Sequence, residues 1–222
     1  TLEEADELIR ISGKTGRYIQ VGHLERFNPA VLAAADLVED PLFIESHRLS
    51  IFKERGTDVS VVLDLMIHDI DLILHFVKSE INSIRASGMP IITGHVDIAN
   101  ARLEFINGCV ANMTASRISM KNERNIRLFQ HNRYLSVDFS NQDITIITRD
   151  GGQGDMRIPG MKVNRINLER GDALEEELKS FVRSVSLRTP PVVSGHVGRE
   201  ALKIALEIMK QIQIGCIPVR NK

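Results

Sequence analysis

Apolar residues recur along the chain in two rhythms, first helical and later alternating. Near the N-terminus Ala5, Leu8, Ile9 and Ile11 fall at helical spacing behind Thr1 and Glu4, which together form a capping box, and Gly13 and Gly16 end the run. Residues 17–22 then read as a strand, so the first 23 residues predict the last helix and strand of an α/β unit whose beginning lies outside this chain. A helix follows over about 28–39, with Asn28 as its cap and Pro29 in its first position, then a strand over 43–51. A strongly apolar helix comes next, ending near residue 77.

From residue 81 to about 168 the helical rhythm gives way to short β-rich runs separated by turn residues at Asn107-Gly108, at Asn141-Gln142-Asp143 and at Gly151, Gly152 and Gly154. Two helices, about 172–187 and 198–213, close the chain around Thr189-Pro190-Pro191. Strands and helices are segregated, so the fold class is α+β: an open, mostly antiparallel sheet with helices on one face. The apolar positions in runs 98–105, 110–115 and 144–147 are expected to need cover on the outer face of that sheet, which predicts a homodimer or homotetramer assembled through it. There is no internal repeat and no low-complexity segment.

Composition narrows the partners. With 222 residues, 43% apolar, 26% charged and a formal net charge of -1, the chain is one large domain or two small ones, and its balance excludes a general nucleic-acid binder. No apolar run is long enough to span a bilayer. Cys109 and Cys216 stand far apart, with no disulfide framework and no paired cysteines for zinc, which makes a reducing cytoplasm the expected compartment. The glycines at 151, 152 and 154 match neither a dinucleotide fingerprint nor a P-loop.

The chemistry concentrates in the apolar stretch from Val62 to Asp71. Asp64 and His68 lie four residues apart and share one face of a regular helix, where a carboxylate can orient an imidazole for proton transfer. Such a pair can equally well only satisfy itself on a buried helix. Asp69 and Asp71 bring the count to three carboxylates and an imidazole among aliphatic residues, a costly set to bury, so the cluster is expected to line a cleft. His23, Glu25, Arg26 and Asn28, at the end of a predicted strand, either contact a ligand or form a polar turn with Asn28 as helix cap. Arg48, Lys53 and Arg55 either clamp an anion or form a solvated rim, and the same alternatives hold for Arg117 with Arg124 and Arg127. A metal-dependent phosphohydrolase built on His68 and Asp69, completed by His23 or His47, is a competing reading, as is a non-catalytic sugar-binding or oligomerisation module.

Val21-Gly-His-Leu-Glu-Arg-Phe-Asn-Pro29, followed by Asp64-x-x-x-His68-x-x-Asp71, resembles the Gfo/Idh/MocA oxidoreductases over essentially the whole chain. That family joins an N-terminal Rossmann domain, which binds NAD(P), to a C-terminal domain like that of dihydrodipicolinate reductase, which carries substrate and assembles oligomers. The resemblance implies that residues 1–23 are a Rossmann remnant and 24–222 the substrate-binding and oligomerisation domain. It also implies that the NAD or NADP site lies largely outside this chain, because a GxGxxG and a Glu-Lys-Pro motif are both missing. By the same resemblance Asp64 and His68 are catalytic, His68 as acid/base, while His23, Glu25, Arg26, Asn28, Arg55, Asp71 and Arg117 serve the substrate. No metal is implied. Met66 stands where the family usually has glycine. The wording is similar to the branch that oxidises UDP-linked amino sugars, and the fragment alone is expected to be inactive.

Overall fold

The computed structural model describes residues 1–149 and 160–215, so the glycine turn expected at 151–154 and Cys216 lie outside the described residues. The capping box at Thr1 and Glu4 starts α1, Leu2–Thr15, and Gly16 ends it in the left-handed conformation at φ 64°. The predicted strand over 17–22 does not form a ladder. Gln20 makes one isolated bridge to Ser194, and Val21 N–H donates to the Val193 carbonyl (2.9 Å). A strand exists only through its neighbours, and no other described segment runs beside this one.

Asn28 caps α2, Pro29–Ala35, which is shorter than the predicted 28–39. Strand β1, Phe43–Leu49, leads through a loop to a single π turn, Val62–Met66, that continues as α3, Ile67–Val77. Seven further strands follow: β2 (Ile81–Met89), β3 (Ile98–Phe105), β4 (Val110–Ser116), β5 (Glu123–Phe129), β6 (Arg133–Asp138), β7 (Asp143–Arg149) and β8 (Met161–Asn167). Gly108 and Gln142 take positive φ at the tight β3–β4 and β6–β7 turns that the sequence marks. Helices α4, Ala173–Leu187, capped by Asp172, and α5, Gly195–Gly215, complete the fold.

Among the described residues the eight strands make one sheet in the order β2-β3-β4-β1-β5-β6-β7-β8. It is an antiparallel meander with one interruption: β1 inserts between β4 and β5, parallel to β4 and antiparallel to β5. The core lies between one sheet face and the helices, where Leu103, Met113, Ile126, Leu128 and Leu135 meet Val62, Met66, Ile70, Ile73 and Ile208. In β3 the buried positions are Ala99, Ala101, Leu103 and Phe105, while the residues alternating with them include Asn100, Arg102 and Glu104. The apolar residues of 98–105 and 110–115 therefore turn mostly toward the helices, and the outer face they were expected to make greasy is mainly polar. On it the Arg127–Glu45 ion pair (2.8 Å) bridges β5 and β1, and the Arg102–Glu104 pair (2.9 Å) runs along β3.

Candidate active site

Three segments converge at the C-terminal end of β1: the His23–Asn28 turn, the 50–60 loop and the start of the α3 helix. Ser60 begins that helix, its hydroxyl accepting from Val62 N–H (3.2 Å) and its carbonyl from Leu63 and Asp64 N–H. The first turn, Val62–Met66, is π, closing on residue i+5. The i,i+4 spacing does not bring the two functional groups together. Asp64 is exposed and its carboxylate lies against Gly56, while His68 turns inward, and the two side chains are not hydrogen-bonded.

His68 instead meets His23. Their Nδ1 atoms are 3.3 Å apart and the rings stand edge to face, with centroids separated by 5.4 Å. Burial pushes the His68 imidazole down to about 4, with the Arg48 charge and His23 adding to the effect and Glu25 opposing it. His23 is lowered too, chiefly by burial, against the pull of Asp71. Both rings are neutral near pH 7.

The carboxylates that made the cluster look costly are each paired. Asp69 receives Arg48 from β1 through Nη2 (2.8 Å) and Nε, and Arg48 Nη1 also reaches Glu25 (2.9 Å). Asp71 receives Arg26 Nε at 2.7 Å. Arg48 and Arg26 thus strap α3 to the sheet and to the His23–Asn28 turn, with their forks occupied by protein partners. Asn28 Oδ1 caps Ala30 N–H (3.0 Å), and its amide donates to the Phe139 carbonyl (3.0 Å). Buried Arg117 donates to the Gly56 carbonyl (2.7 Å) and that of Val59, which pins the loop facing Asp64, and Asp97 stands 3.8 Å away. Of the residues expected to meet substrate, His23 sits with His68, whereas Glu25, Arg26, Asn28, Asp71 and Arg117 hold the walls. Arg55 and Lys53 are exposed on the loop.

Arg124 is exposed and pairs across the sheet with Arg48, so it shares the inner face and its charge reaches His68. Arg127 and His47 project from the other face, bound to Glu45 (2.8 Å) and Glu123 (3.8 Å). A His68–Asp69 metal site completed by His47 is thereby ruled out by geometry, since Asp69 is consumed by Arg48 and His47 lies across the sheet. The His23–His68 contact and the π turn have no sequence signal that a regular-helix reading would catch.

The described residues do not fit a dinucleotide cradle. Gly195 and Gly198 lie against Ile19 and Val21, where a Cβ on Gly198 would come within 2.5 Å of Val21; they serve close helix packing, and no glycine-rich strand-to-helix turn occurs among the described residues. Among the described residues no helix is long and apolar enough to cross a membrane.

The eight-stranded sheet with helices packed on one face defines a class of α+β domain that known oxidoreductases share. Residues 39–135 match the GFO/IDH/MocA C-terminal domain. The UDP-N-acetylglucosamine 3-dehydrogenase of Acidithiobacillus ferrooxidans is 36% identical over 213 residues, covering 95% of this chain and 67% of its own length. A solved structure of that enzyme superimposes with a TM-score of 0.91 at 34% identity, over 96% of this chain and 68% of its own. The myo-inositol 2-dehydrogenase of Thermotoga maritima is 25% identical over 96% of this chain and 67% of its own length. The chain belongs to the Gfo/Idh/MocA family of NAD(P)-dependent oxidoreductases, and it spans about two thirds of the length of these relatives.

Proposed function

We propose that this chain is the substrate-binding portion of a dehydrogenase that oxidises a hydroxyl of a UDP-linked amino sugar, with His68 as acid/base. The observation that carries the reading is His68 itself: an imidazole kept neutral near pH 7, set at the start of α3 with its Nδ1 3.3 Å from that of His23, in a chain 36% identical to a UDP-N-acetylglucosamine 3-dehydrogenase. Bound nicotinamide supplies the hydride acceptor. His68 takes the hydroxyl proton as the carbinol carbon gives up its hydride, and exposed Asp64, at Gly56, accepts from a neighbouring substrate hydroxyl. Arg55 and Arg124 meet the diphosphate. Glu25, Arg26, Asn28, Asp71 and Arg117 act on substrate through the walls they hold.

In this reading residues 1–23 complete a cofactor domain, and residues 24–222 bind substrate and assemble a homodimer or homotetramer through the outer sheet face. A cytoplasmic setting agrees with buried, unpaired Cys109, whose thiol burial pushes up to about 11. Residues 1–222 alone are expected neither to bind NAD tightly nor to turn over. The test is nicotinamide reduction by the full-length protein with a panel of UDP-sugars and simple polyols, run beside His68→Ala. Turnover with a UDP-amino sugar that falls by about 10² to 10⁴ in the variant supports the reading. An unaffected His68→Ala overturns it.

A further inference from the structure

The His23 ring carries a cost that packing does not explain. It is 4% exposed, and its Nε2 is buried with no hydrogen-bond partner among the described residues. A phenylalanine would fill the same space without an unsatisfied nitrogen, so the imidazole returns something through its other nitrogen. That other nitrogen is the Nδ1 that faces His68 Nδ1 at 3.3 Å. Asp64 does not orient the His68 ring: it is exposed, its carboxylate lies against Gly56, and the His68 Nδ1 meets His23 instead.

Two facing ring nitrogens share one proton, so the tautomers of the two histidines are linked. If His68 Nδ1–H donates to His23, then His68 Nε2 is a bare lone pair able to accept a proton, and His23 carries its hydrogen on the buried Nε2. If His23 donates instead, His68 carries its hydrogen on Nε2 and cannot serve as a base there. We propose that His23 is the positioning residue for His68, accepting its Nδ1–H at His23 Nδ1 and so holding His68 Nε2 bare toward substrate. The inference rests on the reading of His68 as the acid/base group. In the oxidation step the substrate O–H bond breaks, a His68 Nε2–H bond forms, and the Nδ1–H···Nδ1 bond stays in place under the new positive charge. Arg48, Arg124 and Glu25 face that charge at His68, and Arg26 and Asp71 face His23.

The direct test is a long-range proton–nitrogen spectrum of ¹⁵N-histidine-labelled residues 1–222 near pH 7, which assigns each ring's tautomer without any turnover. The expected result is His68 protonated on Nδ1 and His23 on Nε2. In His23→Phe, which keeps a flat aromatic ring but no ring nitrogen, His68 loses that single tautomer; in His23→Asn, whose amide oxygen can stand where Nδ1 stands, it regains it. His68 carrying its proton on Nε2 in the native chain, or an unchanged His68 signal in His23→Phe, overturns the proposal. In the full-length protein, kcat with a UDP-amino sugar is expected to fall about 10- to 100-fold in His23→Phe with KM little changed, and to recover in His23→Asn. If His68→Ala retains full turnover, the acid/base reading fails whatever the spectrum shows; if only His23→Phe retains it, the positioning role fails and that reading stands.

Discussion

Arg48 and Asp69 form the buried bidentate pair by which the sheet grips the helix that carries His68: Arg48 Nη2 lies 2.8 Å from Oδ1, and Nε reaches both carboxylate oxygens. Both side chains are at most 5% exposed. Removing Asp69 leaves Arg48 with Glu25 as its remaining carboxylate and its Nε and Nη2 donors unpaired in the core, so Asp69→Ala is expected to lower stability by about 1–3 kcal/mol, read from the urea midpoint. Replacing the pair together with Arg48→Met and Asp69→Leu should recover most of that loss. A double variant as weak as the single one would show that the charges themselves hold the helix.

Gly56 sits at φ +77° with the Asp64 carboxylate 3.2 Å from where a Cβ would project. Gly56→Ala should therefore cost about 1–2 kcal/mol through the left-handed backbone alone and push Asp64 from its place. Chemical denaturation checks the first effect. A crystal structure or the Asp64 carboxyl NMR signal checks the second.

Acid should weaken the fold at mild pH. His68 and His75 are each held down to about 4, mainly by burial, against roughly 6.5 in an unfolded chain. Between those values the unfolded chain takes up protons that the folded one refuses. Stability is thus full above pH 6.5 and drops as the pH falls toward 4, by on the order of 3 kcal/mol for one such group. Urea midpoints between pH 7.5 and 4.5 should show this decline, and His75→Asn should flatten it. A midpoint that stays level over the range would contradict the burial of these rings.

Gly198, on α5, packs so closely on Val21 that Gly198→Ala must displace it. A loss of about 1–3 kcal/mol is expected, as for overpacked cores, with partial rescue by Val21→Ala in the same chain. Thermal unfolding of the two single variants and the double variant measures the coupling.

Much of this architecture is readable from the chain because its signals are local. Thr1 with Glu4, Asn28 with Pro29, and Asn107 with Gly108 each act within a few residues, and the structure places the cap or turn where they stand. What the residues do not disclose is long-range. The insertion of β1 between β4 and β5 is a pairing choice between distant segments, and it decides that Arg48 faces the site while His47 faces away. The Asp64–His68 spacing misleads because each group finds its neighbour elsewhere along the chain, Asp64 at Gly56 and His68 at His23. Likewise the carboxylates at 69 and 71 read as a cleft lining until their arginine partners, from the 43–49 strand and the 24–27 turn, are known.

The single parallel pairing in the sheet has a consequence for how the chain reaches this state. Both neighbours of β1 are made later than β1 itself: Ile44 lies beside Ala111 on one side and Leu128 on the other. During synthesis β1 emerges with two open edges, and closing it on either side requires long loops to be ordered first, which slows assembly. The site helix follows β1 directly and is gripped by Arg48 from it. His68 therefore reaches its working position among the later events of folding, and a nascent chain ending before β5 has no formed site, however early in translation the histidine itself was added.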